Sequence, residues 1–446
     1  MKPHVTLSHD YATANPTLVR SCEMPTFPDL RIELFHSHLA EQLGITRKNL
    51  MEILAGGGHA LAYSGHQFGQ FVPILGDGRA LLLGEITTDH GLLDIHVKGV
   101  GRTPFSRGGD GLYPLKAAKK EYLFSWALEA LEVPTTKVLA VLSTGAKVHR
   151  RQGLEPGALV VRVAASHIRV GTFQYAALAG EQVLRDLADY TINRHYPGHS
   201  YAEFFHATIE NQAQTVTEWM RLGFLHGVIN TDNTTVTGES IDFGPCAWAE
   251  TFNPDTAYSS IDTTGRYRFG QQPEITGWNL ARLAECLLPL IGLDEAQQLI
   301  NNYPHSYHAA WLRSTSRSLG FKQLLPTITE LIDDLYDWLQ QSTWDTATTL
   351  RLLGEEPETE ITDHQWQLWL SRYRELEPDR GMVLARNPLY IPRNHLVAAA
   401  LKDEQIFDTL LEVLAAPFRQ HPLTPPDFTT PSSPEFLRSF LTFCGT

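Results

Sequence analysis

The stretch PLKAAKKEYLFSWALEALE (114–132) repeats its apolar residues at the 3.6-residue period and begins with proline, so it predicts a helix. Strand-like runs surround it. RALLLGEI (79–86) and LLDIHVKGV (92–100) precede it, and VLAVLST (138–144) and ALVVRVA (158–164) follow. Glycine and turn residues between such runs predict hairpins. From about residue 172 the pattern turns helical, with long candidates at YAEFFHATIENQAQTVTEWMRLGF (201–224) and WNLARLAECLLPLI (278–291). Residues 300–446 continue as helices with Pro-rich breaks, and RQHPLTPPDFTTPSSPE (419–435) reads as a loop or extended segment. Residues 1–60 mix short helical patterns with Pro-rich loops. No internal repeat interrupts this order. A β-rich N-terminal part holding one strong helix, followed by a mainly helical remainder, is an α+β arrangement. With 446 residues, 43 % of them apolar, the chain can bury a large core in one to three domains.

Charge narrows the partners. The net charge is −14 at pH 7, whereas a general grip on nucleic acid needs basic surface. Nucleotide phosphates need only a few local Arg and Lys. The four cysteines, Cys22, Cys246, Cys286 and Cys444, form no C-x-x-C or Cys/His cluster. That spread argues against structural zinc and against a disulfide scaffold, and it fits a reducing compartment. The N-terminal MKPHVTLSHDYATANP lacks the apolar run of a signal peptide, and no stretch reaches the ~18 apolar residues of a membrane span. These features predict a cytoplasmic protein without a membrane partner.

Five constellations carry chemistry. Gly76-Asp77-Gly78-Arg79 combines glycines, which let the backbone approach an anion, with a guanidinium for phosphate; Asp-Gly is equally a plain hairpin turn. Lys98 sits on a strand-like run and faces the same way as His96. It can pair with Glu121 of the predicted helix, the device by which protein kinases position nucleotide phosphates; the bland reading is two solvated surface charges. GRTPFSRGGDGLYP (101–114), with Arg102, Arg107 and Asp110, reads as a loop that wraps a ligand or as a mobile surface loop. Arg162 and Arg169, seven apart, could bracket phosphates or form two surface salt bridges. The strongest is HGVINTDNTTVTGESIDFGP (226–245). A kinase writes this region as H-R-D-x-x-x-x-N and then D-F-G. His226, Asn233 and Asp242 keep that order, but Val228 stands where the kinase base would be. Asn233 and Asp242 are hard oxygen ligands suited to Mg²⁺, and Asp232 is a carboxylate beside them. A β-hairpin is the competing reading. The lone histidines His59, His66 and His96 show no metal spacing, and HRRQG (149–153) reads as a solvated loop.

Together YSGHQFGQF (63–71), LGDGRALLLGE (75–85), HVKGVGRTPFSRGGDG (96–111), EPGALVVRVAASHIRVGTF (155–173), GFLHGVINTDNTTVTGESIDFGP (223–245) and GRYRFGQQPEITGWNLARLAE (265–285) are similar to the selenoprotein O family. The match is dense over roughly residues 60–290. The resemblance implies a protein kinase-like, two-lobed fold. An N-terminal extension (1–60) would precede a β-rich N-lobe (61–150), a mainly helical C-lobe core (151–300) and a helical C-terminal extension (301–446). It implies an enzyme that binds ATP in a flipped orientation and transfers AMP to Ser, Thr or Tyr hydroxyls of proteins, releasing pyrophosphate. The alternatives are an ATP-dependent kinase or phosphotransferase and a nucleotide-binding pseudokinase scaffold. Carried over by motif, Gly76, Gly78, Arg79, Lys98, Asp110, Gly111, Arg162 and Arg169 would contact ATP. Glu121 would hold Lys98, Asn233 and Asp242 would bind Mg²⁺ (or Mn²⁺), and Asp232 would accept the proton. The sequence departs from the family pattern at Leu112 and Lys120, where arginine is usual. It also lacks a cysteine near Tyr258 to pair with Cys444, so no disulfide from Cys246 to Cys444 is expected.

Overall fold

The structure, a computed structural model, describes residues 5–150, 153–355, 361–422 and 424–443. Its strands in chain order are β1 (Val19–Cys22), β2 (Arg31–Phe35), β3 (Gly58–Leu61), β4 (Gly65–Gln67), β5 (Gln70–Val72), β6 (Ala80–Thr88), β7 (Gly91–Lys98), β8 (Lys137–Arg150), β9 (Gly153–Ala164), β10 (Phe224–Leu225) and β11 (Ala247–Trp248). Seven form one antiparallel sheet in the order β1-β3-β6-β7-β9-β8-β2. The pairs β4–β5 and β10–β11 stand apart from it. The four expected strand runs are β6 to β9, and β9 carries the sheet past residue 150 to Ala164. The sequence reading of residues 1–60 missed three strands, β1, β2 and β3. β1 and β2 are the sheet's two edges, and much of each is exposed, as at Arg20, Ser21, Arg31 and Glu33. A strand that pairs on one side and lies at the surface needs no apolar run to mark it.

The sheet is buried on both faces. Helices α1 (Asp10–Ala14), α2 (Ser37–Gln42) and α3 (Arg47–Leu54) come before the central strands. Leu39, Leu50 and Leu54 of α2 and α3 pack against Leu81, Leu83, Ile95, Val97, Leu159 and Val161. The opposite face presents Val138, Val141, Ala158 and Val160 to Ala118 and Tyr122 of α4 (Leu115–Ala130), the predicted helix. The far side of α4 is covered as well. Its Leu123, Phe124, Ala127 and Leu128 share a core with Trp219 and with Phe407 and Leu410 of the helix Glu404–Leu414. Trp126 donates its indole N–H to the Leu411 carbonyl at 3.1 Å. Each such apolar side chain, fully buried, contributes about 1.5–3 kcal/mol, so α4 is fixed from both sides.

The remainder is mainly helical, as the 3.6-residue pattern requires, except between Gly223 and Gln271, where β10, β11 and irregular chain lie. It begins with α5 (Val170–Ala179), α6 (Glu181–His195), α7 (Tyr201–Leu222), α8 (Gln272–Ile291) and α9 (Leu293–Ser318). α7 opens with a reciprocal cap between Ser200 and Glu203 and ends at Gly223, whose φ of +83° continues no helix. Phe173, Phe204, Phe205, Leu280 and Leu283 bind α5, α7 and α8 into one core. Trp338, Trp366 and Trp369 build a further core from the helices that follow. The described residues of 419–435 are irregular apart from one short turn of helix at Pro426–Phe428 and the last two, which open the helix Pro434–Ser439. Among the described residues no helix is long and apolar enough to cross a membrane.

Candidate active site

Strand register decides which charges can meet. In the antiparallel pairs, His96 lies opposite Arg162, and Lys98 opposite Val160 and Ala80. Side chains opposite one another, or two apart on one strand, share a face. Lys98 and Arg162 therefore project together toward α4, whose Glu121 receives both. Lys98 Nζ is 3.0 Å from Glu121 Oε2. Arg162 Nε is 2.5 Å from Glu121 Oε1. Tyr113 donates its hydroxyl to the same carboxylate at 3.0 Å, and its ring lies 4.4 Å from Lys98 Nζ. The surface-charge alternative for Lys98 and Glu121 is thereby excluded, since both side chains are at least 95 % buried.

Asp242 closes the cluster. Its Oδ1 accepts from Lys98 Nζ at 2.5 Å and from Arg162 Nη2 at 2.7 Å. The residue adopts φ +70°, a left-handed conformation that Asp tolerates better than most side chains. His226 fixes the approach to it, bonding the Ile241 carbonyl through Nε2 at 2.8 Å. Burial alone would raise the pKa of Asp242, but Lys98 and Arg162 hold it well below the usual carboxylate range. Glu121 is likewise lowered, with burial outweighed by Arg162 and Lys98. Lys98 is lowered by its burial and by Arg162. The expected hairpin alternative for 226–245 is absent: Thr231–Asn233 is a turn of 3-10 helix.

That turn holds Asp232 at the wall of the same cavity. Arg169 donates from Nη1 to the Asp232 carbonyl at 2.8 Å, and its guanidinium lies 4.4 Å over the Tyr63 ring. Asp232 Oδ1 is buried and has no hydrogen-bond partner among the described residues. Burial pushes this carboxyl up to about 7, against the pull of Arg169. The β4–β5 hairpin presses on it from outside. His66 N–H donates to Thr231 Oγ1 at 2.7 Å, and a Cβ added to Gly65 would stand 2.5 Å from Asp232 Oδ1. Phe68 N–H reaches Asn230 Oδ1 at 3.3 Å and the Tyr267 hydroxyl at 3.1 Å, so the hairpin is stapled to the 230–233 turn.

These residues line one cavity of about 450 Å³, within the range of small-molecule sites. Gly76, Gly78, Arg79, Lys98, Asp110, Gly111, Arg162, Arg169, Asp232 and Asp242 all border it. Glu121 stands behind it, and Asn233 is buried beside it without bordering it. Six cationic side chains (Arg79, Lys98, Arg107, Arg150, Arg162 and Arg169) face four carboxylates (Asp77, Asp110, Asp232 and Asp242). In a chain of net charge −14, that local excess suits an anion. The amides of Gly76, Asp77 and Gly78 bond to Tyr63, Leu61 and Gly76 carbonyls, so the turn offers the cavity its Arg79 rather than a nest of N–H groups. Gly76, at φ +59°, lets the turn pass under the Phe105 ring, which any Cβ would strike.

Several lining residues carried no clear sequence signal. Asp77 sits inside a motif that reads as a turn, yet it is buried and bonded to His96 Nε2 at 3.0 Å and to the Tyr63 hydroxyl at 3.1 Å. Arg150 belongs to the stretch read as a solvated loop. It ends β8 and grips Asp110 with both terminal nitrogens, at 2.8 and 3.3 Å; Arg151 and Gln152 lie outside the described residues. Arg102 points away to the Gly109 carbonyl, at 3.2 Å, whereas Arg107 borders the cavity. Cys246 is buried near Phe243, and the chain's last described residues return to this loop: Thr442 donates to the Tyr258 carbonyl at 2.7 Å and to the Pro245 carbonyl at 2.6 Å. Cys444 lies outside the described residues.

Asn233 and Asp242 offer oxygen donors of the kind a hard cation takes. Asn233 donates its amide nitrogen to the Val228 carbonyl at 2.9 Å, which leaves Oδ1 buried without a partner. Asp242 is 31 % exposed toward the cavity. An amide oxygen and an ionised carboxylate are the donor types that Mg²⁺ and Mn²⁺ favour.

The family model described as protein adenylyltransferase SelO matches residues 7–386. A protein nucleotidyltransferase YdiU of Corynebacterium efficiens is 46 % identical over 428 residues, covering 91 % of this chain and 85 % of that protein. The protein of the same name from Mycolicibacterium smegmatis is 42 % identical over 483 residues, covering 99 % and 98 %. That of Cereibacter sphaeroides is 43 % identical over 461 residues, covering 94 % and 95 %.

Proposed function

The chain belongs to the protein adenylyltransferase SelO family and is a nucleotidyltransferase, and from that premise we propose that it transfers AMP from ATP to Ser, Thr or Tyr hydroxyls of proteins. The observation that carries this reading is the exchange of roles between Val228 and Asp232. Val228 occupies the kinase base position and is 6 % exposed, packed in an apolar core with Phe243 and Trp248. The available carboxylate is Asp232, on the wall of the cation-rich cavity. A base at a different place suits in-line attack at a different phosphorus.

In this reading the sheet and the helical part form a kinase-like pair of lobes around ATP, in the cytoplasm. Lys98, Arg162, Arg79 and Arg169 bind and orient the phosphates, and Glu121 positions the first two. Asp232 takes the proton of the acceptor hydroxyl. The hydroxyl oxygen bonds to the α-phosphorus as the bond from that phosphorus to the bridging oxygen breaks, and pyrophosphate leaves with the electron pair. Asn233 and Asp242 would hold Mg²⁺ or Mn²⁺. That ion, when bound, neutralises charge developing on the phosphate oxygens. Pre-placed cations stabilise such charge without reorganising.

Incubation with ATP labelled at the α- or the γ-phosphate tests the proposal directly. Label is expected in protein from the α position only; transfer from γ alone would establish a kinase instead. A second expectation concerns the placement of Asp232. Gly65→Ala pushes a methyl against Asp232 Oδ1 and, at 2.8 Å, against Leu75. Misplacing a reacting group by about 1 Å costs on the order of 10²-fold, so α-label transfer should fall by about that factor while the circular dichroism spectrum is kept. Undiminished transfer would remove Asp232 from the reaction.

A further inference from the structure

A second cavity lies outside the site already described, where α7, α9, the end of α4 and the helix Arg380–Arg386 meet. It measures about 210 Å³ and is lined by Glu132, Pro134, Gln214, Glu218, Arg313, Ser314, Arg317 and Arg386. A water occupies about 30 Å³ of liquid, so the space holds a group several waters in size. Three of its walls are arginines, although acids outnumber Lys and Arg by 50 to 36 in the whole chain.

The one buried carboxylate there is already saturated. Glu218 accepts from Arg221 Nε at 2.9 Å and Nη2 at 2.7 Å, from Ser314 Oγ at 2.5 Å, from Gln214 at 3.3 Å and from Arg386 Nη2 at 3.2 Å. Glu132 is 78 % exposed and 3.9 Å from Arg386, a separation at which solvent screens most of the attraction. Arg386 keeps a buried Nε without a hydrogen-bond partner among the described residues. Arg313 and Arg317 stand on successive turns of α9, and neither pairs with a carboxylate of the described residues. Like charges four apart on a helix repel. Arg317, in the last turn, also complements the helix dipole. Arg386, in the last turn of its own helix and paired with Glu218, has the same use, and Arg313 has none.

We propose that this cavity is an anion site, distinct from the nucleotide cavity, that binds a small phosphate-bearing compound through Arg313, Arg317 and Arg386. Planar guanidiniums offer paired N–H donors to tetrahedral phosphate oxygens, and three of them around one space supply charge and orientation together. The Ser314 hydroxyl and the Gln214 amide add polar edges. The proposal does not depend on which phosphorus the enzyme attacks.

Calorimetric titration of the full chain with inorganic phosphate, at constant ionic strength set by sodium chloride, tests it. The wild type is compared with Arg313→Ser/Arg317→Ser and with Arg313→Lys/Arg317→Lys. Both arginines are exposed, so the variants retain the fold, and phosphate bound in the nucleotide cavity is common to all three proteins. Binding in the wild type should include a component that weakens at least tenfold in the serine variant. It should weaken less in the lysine variant, which keeps the charge and loses the paired donors. Superimposable isotherms for the wild type and the serine variant would overturn the proposal.

Discussion

Asp242→Ala should lose at least about 10³-fold of α-label transfer, the upper end of what one preorganised electrostatic contact is worth. The expectation follows from how many partners one carboxylate serves. Its Oδ1 meets Lys98 Nζ at 2.5 Å and Arg162 Nη2 at 2.7 Å. With the metal that Asp242 and Asn233 would hold, the residue joins both sources of positive charge acting on the phosphates. The variant is expected to remain folded, because Glu121 still accepts from both cations. Near-normal transfer by the folded variant would refute the metal and phosphate assignment together. The acid limb of stability should change too. Asp242 is ionised in the fold far below the ordinary carboxylate range, so its stabilisation is present above the unfolded value of about 3.9 and fades as pH falls below it. In the alanine variant that part of the acid sensitivity is gone.

Glu121→Ala should cost more in stability than any other single change at the site. The carboxylate is 1 % exposed and accepts from Lys98, Arg162 and Tyr113. Removing one partner of a buried ionic cluster strands the others, typically at about 3–5 kcal/mol. Two cations would then share Asp242 alone. Denaturant unfolding of the variant should show a loss of that size, and transfer should fall because Lys98 and Arg162 lose the anchor that aims them. Pairing it with Lys98→Met separates the two effects. If the cluster acts as a unit, the double variant should be more stable than the two single losses summed. Strict additivity would show that Glu121 and Lys98 do not depend on one another. Glu121 also titrates below its ordinary value, so its contribution stands above about pH 4.5 and declines as pH falls.

Order along the chain made the central cluster readable. Lys98, Glu121, Arg162, Asn233 and Asp242 each had a bland alternative, and only their sequence order set them against it. For Lys98, Glu121 and Arg162 the structure shows why order sufficed: β7 and β9 are neighbouring strands of one sheet and α4 packs on its face, so charges placed at the right register meet whatever the loops do. Asp77 and Arg150 were not readable for the opposite reason. Their own surroundings in sequence are a turn and a basic run, and no motif order joins them to their partners, His96 and Asp110. β1 escaped because VRSC carries no apolar alternation, and β2 because its alternation, Ile32 and Leu34 between Arg31 and Glu33, runs for only five residues. The amides of residues 76–78 show the converse case, a glycine motif whose glycines serve backbone shape and clearance from Phe105 more than an anion.

The covering of α4 on both sides bears on how such an enzyme can be governed. Swinging Glu121 away would mean pulling Phe124 and Leu128 from Phe407 and Leu410. Re-exposing four such side chains costs on the order of 6–12 kcal/mol, a disengaged population of about one molecule in 10⁴ or fewer. The machinery is therefore permanently cocked. Under the proposed transfer, timing would come from what arrives at the cleft, nucleotide, metal ion and acceptor hydroxyl, and not from a lever inside the protein that assembles and disassembles the charges.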